Sequence, residues 1–120
     1  MSQKIVVADG KKFALKKACE ILEASGYEIY PCDNGVAAQE VAKKVNADLI
    51  VADYLMPEKS GMGLVFELRQ KGDKTPIVIM SESPLVTSEN IIKTGGNGLV
   101  RKPIVEKNLV EVVSKAIVMK

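Results

Sequence analysis

The chain has 120 residues, 47% of them apolar, enough to enclose one hydrophobic core without disulfides or a structural metal, so one domain over residues 1–120 is expected. Its net charge of +2 comes from lysines interleaved with glutamates, as on solvated helix faces, and no basic stripe with interleaved aromatics points to nucleic acid. There is no histidine, which excludes hydrolase mechanisms that need an imidazole base and zinc sites built on His. Met1-Ser2-Gln3 leads straight into an apolar run with no room for a signal peptide, and no run is long enough to cross a bilayer. A cytoplasmic location without membrane insertion is therefore expected. Cys19 and Cys32 fall on different predicted elements and form no C-x-x-C pair, which favours buried reduced thiols.

In chain order, Lys4 to Ala8 is an apolar run that reads as a first strand, closed by Asp9-Gly10. From Lys11 to Ser25, Ala14, Leu15, Ala18, Cys19, Ile21 and Leu22 recur at helical spacing, and Gly26 supplies the stop. Glu28 to Cys32 reads as a strand, Asp33-Asn34-Gly35 as a turn, and Val36 to Lys44 as a second helix. Asp48 to Asp53 (D-L-I-V-A-D) is a short apolar run ending abruptly in an acid, the pattern of a buried parallel strand. Met62 to Lys71 predicts a third helix with Leu64, Val65 and Leu68 on one side and Ser60 as its cap. Pro76 leads into the strand Ile77 to Met80, which stops at Ser81. Pro84 to Thr94 reads as a short helix with Ile91 and Ile92 inward, Leu99-Val100 as the core of a fifth strand, and Glu106 to Val118 as the last helix.

Five strands alternating with five helices imply an α/β fold, a doubly wound parallel sheet with right-handed crossovers and helices on both faces. The order most consistent with this is 2-1-3-4-5, the flavodoxin-like order, whose ligands bind at the carboxyl ends of the strands. Asp9, Asp53, Ser81 and Lys102 all fall at such ends and should converge on one cleft.

An acid after strand one, an acid after strand three, a hydroxyl after strand four and a Lys-Pro after strand five form a coherent set. The motifs A-D-Y-L-M-P-x-x-S-G around Asp53, T-P-I-V-I-M-S ending at Ser81, and G-G-N-G-L-V-R-K-P ending at Lys102-Pro103 resemble the receiver domain of two-component response regulators over essentially the whole chain. The resemblance implies that Asp53 accepts a phosphoryl group from the phosphohistidine of a sensor histidine kinase or phosphotransfer protein. It implies Mg²⁺ held by Asp9, Asp53 and the backbone carbonyl of Leu55, with Lys102 neutralising a phosphoryl oxygen and Ser81 bonding the attached group. It also implies a signalling module with at most slow self-phosphorylation and self-dephosphorylation, a downstream protein target, a monomeric or weakly dimeric state, and a cis Lys102-Pro103 peptide.

The chain departs from the family pattern at three places. Counting from Gly26 and Asp53 puts Asp9 at the first of two usual acid positions and Gly10 at the second, which should weaken Mg²⁺; a one-residue shift would place Asp9 inside and Ala8 outside. Leu99 stands where an aromatic switch residue is common. Glu82 follows Ser81 where a small residue is usual, and it either repels an incoming phosphoryl group or replaces the missing metal ligand. Each site residue also has a structural reading. Asp9 suits an N-cap for the helix beginning at Lys11, Ser81 an ST-turn, and Lys102 a snorkelling surface lysine. The leading expectation is a phosphoacceptor receiver signalling through a face on strands four and five. The rival is a pseudo-receiver, an interaction module that no longer takes phosphate; a flavin-binding domain is a distant third, because the loop after strand one lacks a phosphate cradle.

Overall fold

The computed structural model describes residues 2–118. Its elements are β1 (Lys4–Ala8), α1 (Lys12–Ala24), β2 (Glu28–Cys32), α2 (Gly35–Val45), β3 (Leu49–Asp53), α3 (Gly61–Gln70), β4 (Ile77–Ser81), α4 (Ser88–Lys93), β5 (Gly98–Arg101) and α5 (Glu106–Ala116). The strands pair in parallel in the order β2-β1-β3-β4-β5, as the alternating pattern predicts. β3 and β4 are buried along their whole length, because interior strands of a doubly wound sheet lose both faces to helices and are selected as unbroken apolar runs. β2 lies at the edge, and there Pro31 is tolerated, since a missing N–H is harmless where no further strand needs it.

Alternation along each strand divides the core in two. Ile5, Val7, Leu49, Val51, Val78 and Met80 pack with Leu22 of α1 and Leu109 and Val113 of α5. Val6, Ile50, Ala52, Ile77 and Ile79 pack with Ala38 of α2, Leu64 and Leu68 of α3 and Ile91 of α4. Three helices begin on a side-chain cap: Asn34 accepts from the Ala37 amide at 2.8 Å, Ser60 from Gly63 at 3.0 Å and Thr87 from Asn90 at 3.1 Å.

Two expectations need correction. Asp9 does not cap α1: the N-cap is Lys11, which makes no side-chain cap bond, and the Asp9 carboxylate instead accepts from the Lys11 amide at 2.9 Å, a local turn two residues long. The fourth helix is also shorter than Pro84 to Thr94, running only over Ser88–Lys93. Adjacent residues on a helix point about 100° apart, so Ile91 is buried at 2% exposure while Ile92 is 51% exposed rather than inward.

Cys19 and Cys32 are free and buried, on α1 and β2. Burial, followed by the negative charge of Glu23, pushes the Cys19 thiol up to about 11 from an ordinary 9.0, and burial raises Cys32 too. Since the thiolate is the reactive form, a disulfide reagent at mildly alkaline pH should modify native Cys19 roughly 100-fold more slowly than a free thiol. Urea should bring both cysteines to the free-thiol rate, and rapid modification of the native protein would contradict this packing.

Candidate functional site

The parallel register brings the predicted site together. Asp9 follows β1, Asp53 is the last residue of β3, Ser81 the last of β4, and Lys102 follows β5, with β1 beside β3 and β3 beside β4. Lys102 reaches across the strand ends, its Nζ 2.6 Å from Asp9 Oδ2 and 3.2 Å from Asp53 Oδ1. All three side chains are almost wholly withdrawn from water, and Asp9 completely so. Two like charges at this depth could not both ionise without a cation between them, and the ammonium supplies it. Lys102 is therefore an internal counter-ion and not the snorkelling surface lysine that its sequence context also allowed. Its backbone is fixed by an N–H bond to the Ser81 carbonyl at 2.9 Å, and the Lys102-Pro103 peptide is cis, as the resemblance implied.

Ser81 is buried, and its Oγ accepts the Ser83 amide at 3.1 Å, which is the ST-turn reading; Ser81 also lines the cleft that Asp53 lines. That cleft, about 280 Å³, is lined by Lys11, Asp53, Tyr54, Leu55, Ser81, Glu82 and Ser83. Beside it a hollow lined by Ala14, Lys17, Pro103 and Ile104 is rimmed by Phe13, which is 83% exposed. Leu99 packs, partly buried, against the cluster that contains Val86 and Ile91.

Around Asp9 the three neighbouring positions differ in direction. Ala8 is sealed in the core on the α2 side, Asp9 faces Lys102, and Gly10 abuts the loop after β3. A Cβ at position 10 would stand 2.8 Å from Pro57 Cδ, so this loop is seated where a second acid would begin. The donor set for Mg²⁺ is accordingly short. Asp9 has one oxygen on the Lys11 amide and the other on Lys102, Asp53 shares Lys102, and among the described residues no group of three His, Cys, Asp or Glu side chains converges. Mg²⁺ demands near-octahedral oxygen ligation and is held through its carboxylates, so these residues do not fit a tightly bound ion.

One feature of the site left no trace in sequence pattern. Lys11, which reads as an ordinary solvated helix residue, extends across the mouth to Glu82, Nζ to Oε1 3.2 Å, over a separation of 71 residues. At the opposite end of the sheet, Arg69 on α3 donates to the Gly95 carbonyl at 2.9 Å and to Asn97 Oδ1 at 3.0 Å, tying the turn before β5 to α3, while the Ile77 amide at the start of β4 donates to the same Asn97 oxygen at 2.9 Å.

Burial raises the Asp53 pKa above its ordinary 3.8, the Asp9 charge adds to that, and Lys102 pulls against both. A carboxyl whose folded pKa is raised binds its proton more tightly in the native than in the unfolded chain. Its contribution to stability is then complete below the unfolded pKa and is lost as pH rises through the folded one. Asp53→Asn, which keeps the neutral shape, should thus be more stable than wild type at neutral pH, with the difference shrinking on acidification. Denaturant titrations of both proteins across acid and neutral pH check this, and a constant difference would contradict it.

The family model described as "Response regulator receiver domain" matches residues 5–114, and the chain belongs to that family. It is 26% identical over 116 residues to the polar-differentiation response regulator DivK of Brucella anthropi, covering 94% of each chain. Among solved structures it is similar to the receiver domain of the Francisella response regulator 1452, with TM-score 0.86, 28% identity and 97% of each chain covered. It shares its fold with the chemotaxis response regulator CheY4 of Vibrio cholerae, with TM-score 0.85, 22% identity, and 97% and 99% covered. Receiver domains are signalling modules that work between histidine kinases and downstream targets, and they generally bind Mg²⁺ in an acidic pocket. Among the described residues no helix is long and apolar enough to cross a membrane.

Proposed function

We propose that this receiver accepts a phosphoryl group on Asp53 from a phosphohistidine partner and passes the change to a protein target. The observation that carries the reading is a carboxylate at the end of the central strand, 5% exposed yet lining an open cleft, with a buried ammonium at 3.2 Å and a hydroxyl beside it. An Asp53 oxygen attacks phosphorus; the new P–O bond forms as the P–N bond breaks, and its electron pair returns to the partner's imidazole. The product is an acyl phosphate, a mixed anhydride that water cleaves to restore the carboxylate and release phosphate. Lys102 holds Asp53 in place and meets the charge that grows on the phosphoryl oxygens, and the Ser81 hydroxyl is set to bond the attached group. Mg²⁺, where bound, would neutralise phosphoryl charge through Asp9, Asp53 and the Leu55 carbonyl, and the missing acid at position 10 makes that binding weak. Exposed Phe13 and the hollow beside it offer an apolar foothold for the kinase or phosphotransfer partner. The output face lies on β4, β5 and their helices, where Leu85 and Ile92 are exposed.

The test is incubation with a small phosphodonor followed by acyl-phosphate-specific detection. Wild type should be modified once per chain and Asp53→Asn not at all. Modification that survives the substitution, or none in wild type at any Mg²⁺ concentration, would reject the reading. The second outcome would favour a phosphorylation-independent interaction module, which the seating of Pro57 against Gly10 also supports.

A further inference from the structure

We infer that Lys11 is the second cation of this phosphoacceptor site, taking the place of a tightly held divalent ion and released to the phosphoryl group by Glu82. The inference rests on the phosphoacceptor reading of Asp53 and adds to it the residue that receives the incoming charge. Space is the first argument. Position 10, the usual source of a second metal-binding carboxylate, carries none, and a Cβ there would meet Pro57 Cδ at 2.8 Å. Occupancy is the second, since both oxygens of Asp9 are engaged, one by the Lys102 ammonium and one by the Lys11 amide.

Reach is the third. The Lys11 backbone is anchored to Asp9 at 2.9 Å, at the base of the cleft, while its side chain lines the same cleft as Asp53 and Ser81. An ammonium on a flexible four-carbon stem is a point charge that can relocate without moving its backbone. Its present partner is Glu82, at 3.2 Å, and both side chains are about two-thirds exposed, so water screens the pair and little opposes its opening. The field of Asp53 and Asp9 also reaches Lys11, adding to the influence of Glu82 in raising its pKa.

Charge decides the direction. Asp9 and Asp53 are balanced by Lys102 alone, which leaves one net negative charge, while Lys11 and Glu82 cancel at the mouth. A phosphoryl group arriving with nearly two further negative charges outcompetes a single carboxylate for the Lys11 ammonium. As the P–O bond to Asp53 forms and the donor's P–N bond breaks, with the electron pair leaving on the donor nitrogen, Lys11 turns from Glu82 to the phosphoryl oxygens. Glu82, adjacent to Ser81 at the start of the β4–α4 loop, then loses its tether.

The test compares initial rates of Asp53 modification by phosphoramidate in EDTA and in millimolar Mg²⁺. Wild type should react in EDTA within about twofold of its rate in Mg²⁺, and Lys11→Met should fall about tenfold or more in both. Lys11→Arg should keep most of the rate, Glu82→Gln should exceed wild type, and Lys12→Met, at the neighbouring exposed lysine, should match it. Thermal midpoints of the variants establish that they fold, and Glu82→Gln supplies an independent arm. Wild-type modification abolished by EDTA, or Lys11→Met reacting like wild type, would overturn the inference while leaving Asp53 as the acceptor. No modification of wild type under either condition would overturn both.

Discussion

Lys102→Met is expected to destabilise the protein by about 3–5 kcal/mol at neutral pH, toward the lower end of that range because the cleft opens to water on the Lys11 side. Methionine matches the stem of lysine, so packing at β5 is nearly conserved and the loss is electrostatic. With the ammonium gone, Asp9 and Asp53 face each other at 0% and 5% exposure with no cation between them. Two further measurements separate this from a lost packing contact. Adding Asp9→Asn should recover most of the loss, since one carboxylate alone can draw on water and nearby amides; a packing defect would not respond. Acidification should recover it too. The Asp53 pKa is already raised in the presence of Lys102, and removal of this charge, the larger of the two that oppose the rise, lifts it further, so the penalty is present above the folded pKa and vanishes below the unfolded one. Equal stability of Lys102→Met and wild type in urea at neutral pH would mean that the buried triad holds no net energy.

The elements that could be read from sequence are those in which one physical requirement dominates. β3 and β4 lose both faces to helices, which forces runs such as L-I-V-A-D and I-V-I-M-S, and such runs have few other readings. The site was legible for the same reason: in a parallel sheet every strand's carboxyl end is at one edge, so Asp9, Asp53, Ser81 and Lys102 had to meet once the strands were placed. α4 is harder to read, because the adjacent Ile91 and Ile92 look alike in sequence although only one of them can face the core. The corrective signal was present, since Val86 before the Thr87 cap and Ile91 after it are spaced as a hydrophobic staple, and both are buried in one cluster. Asp9 reads as a cap because Asp before a helix is a common cap, while a buried ammonium 93 residues away, which determines its true orientation, has no local signature. The Lys11–Glu82 bridge was out of reach altogether. Exposed side chains carry no periodicity, and their pairing depends on loop geometry that composition does not encode.

Gly35→Ala is the second large expected effect, and it runs against helix propensity. Gly35 opens α2, and alanine is the better helix former by up to about 1 kcal/mol, less at a first helical residue than in the interior. Against that gain, an added Cβ would overlap the Lys59 carbonyl oxygen and lie 2.7 Å from its carbonyl carbon, deep inside contact distance with backbone that cannot rotate away. Lys59 is held from several directions: its amide bonds the Pro57 carbonyl at 2.7 Å, its ammonium binds Gln39 and Glu67, and the following Ser60 caps α3. The loop between β3 and α3 must therefore move as a unit, and the Gly35 amide loses its bond to Pro57, 3.3 Å at present. Overpacking of this kind costs about 1–3 kcal/mol, and a clash with fixed backbone belongs at the upper end, so a net loss of about 2 kcal/mol is expected. At this chain length that is a fall in Tm of about 8 °C. Gly72→Ala provides the contrast: its φ of +76° is strained for alanine, but nothing lies within 4 Å of the new Cβ. It should cost only about 1 kcal/mol and leave Asp53 modification unchanged. Gly35→Ala should slow that modification even in the folded fraction, because the displaced loop carries Tyr54 and Leu55, which line the cleft over Asp53. A Gly35→Ala protein as stable as wild type would show that the loop after β3 has a second low-energy seat, and the contact between Pro57 and Gly10 could then not be what closes the second acid position.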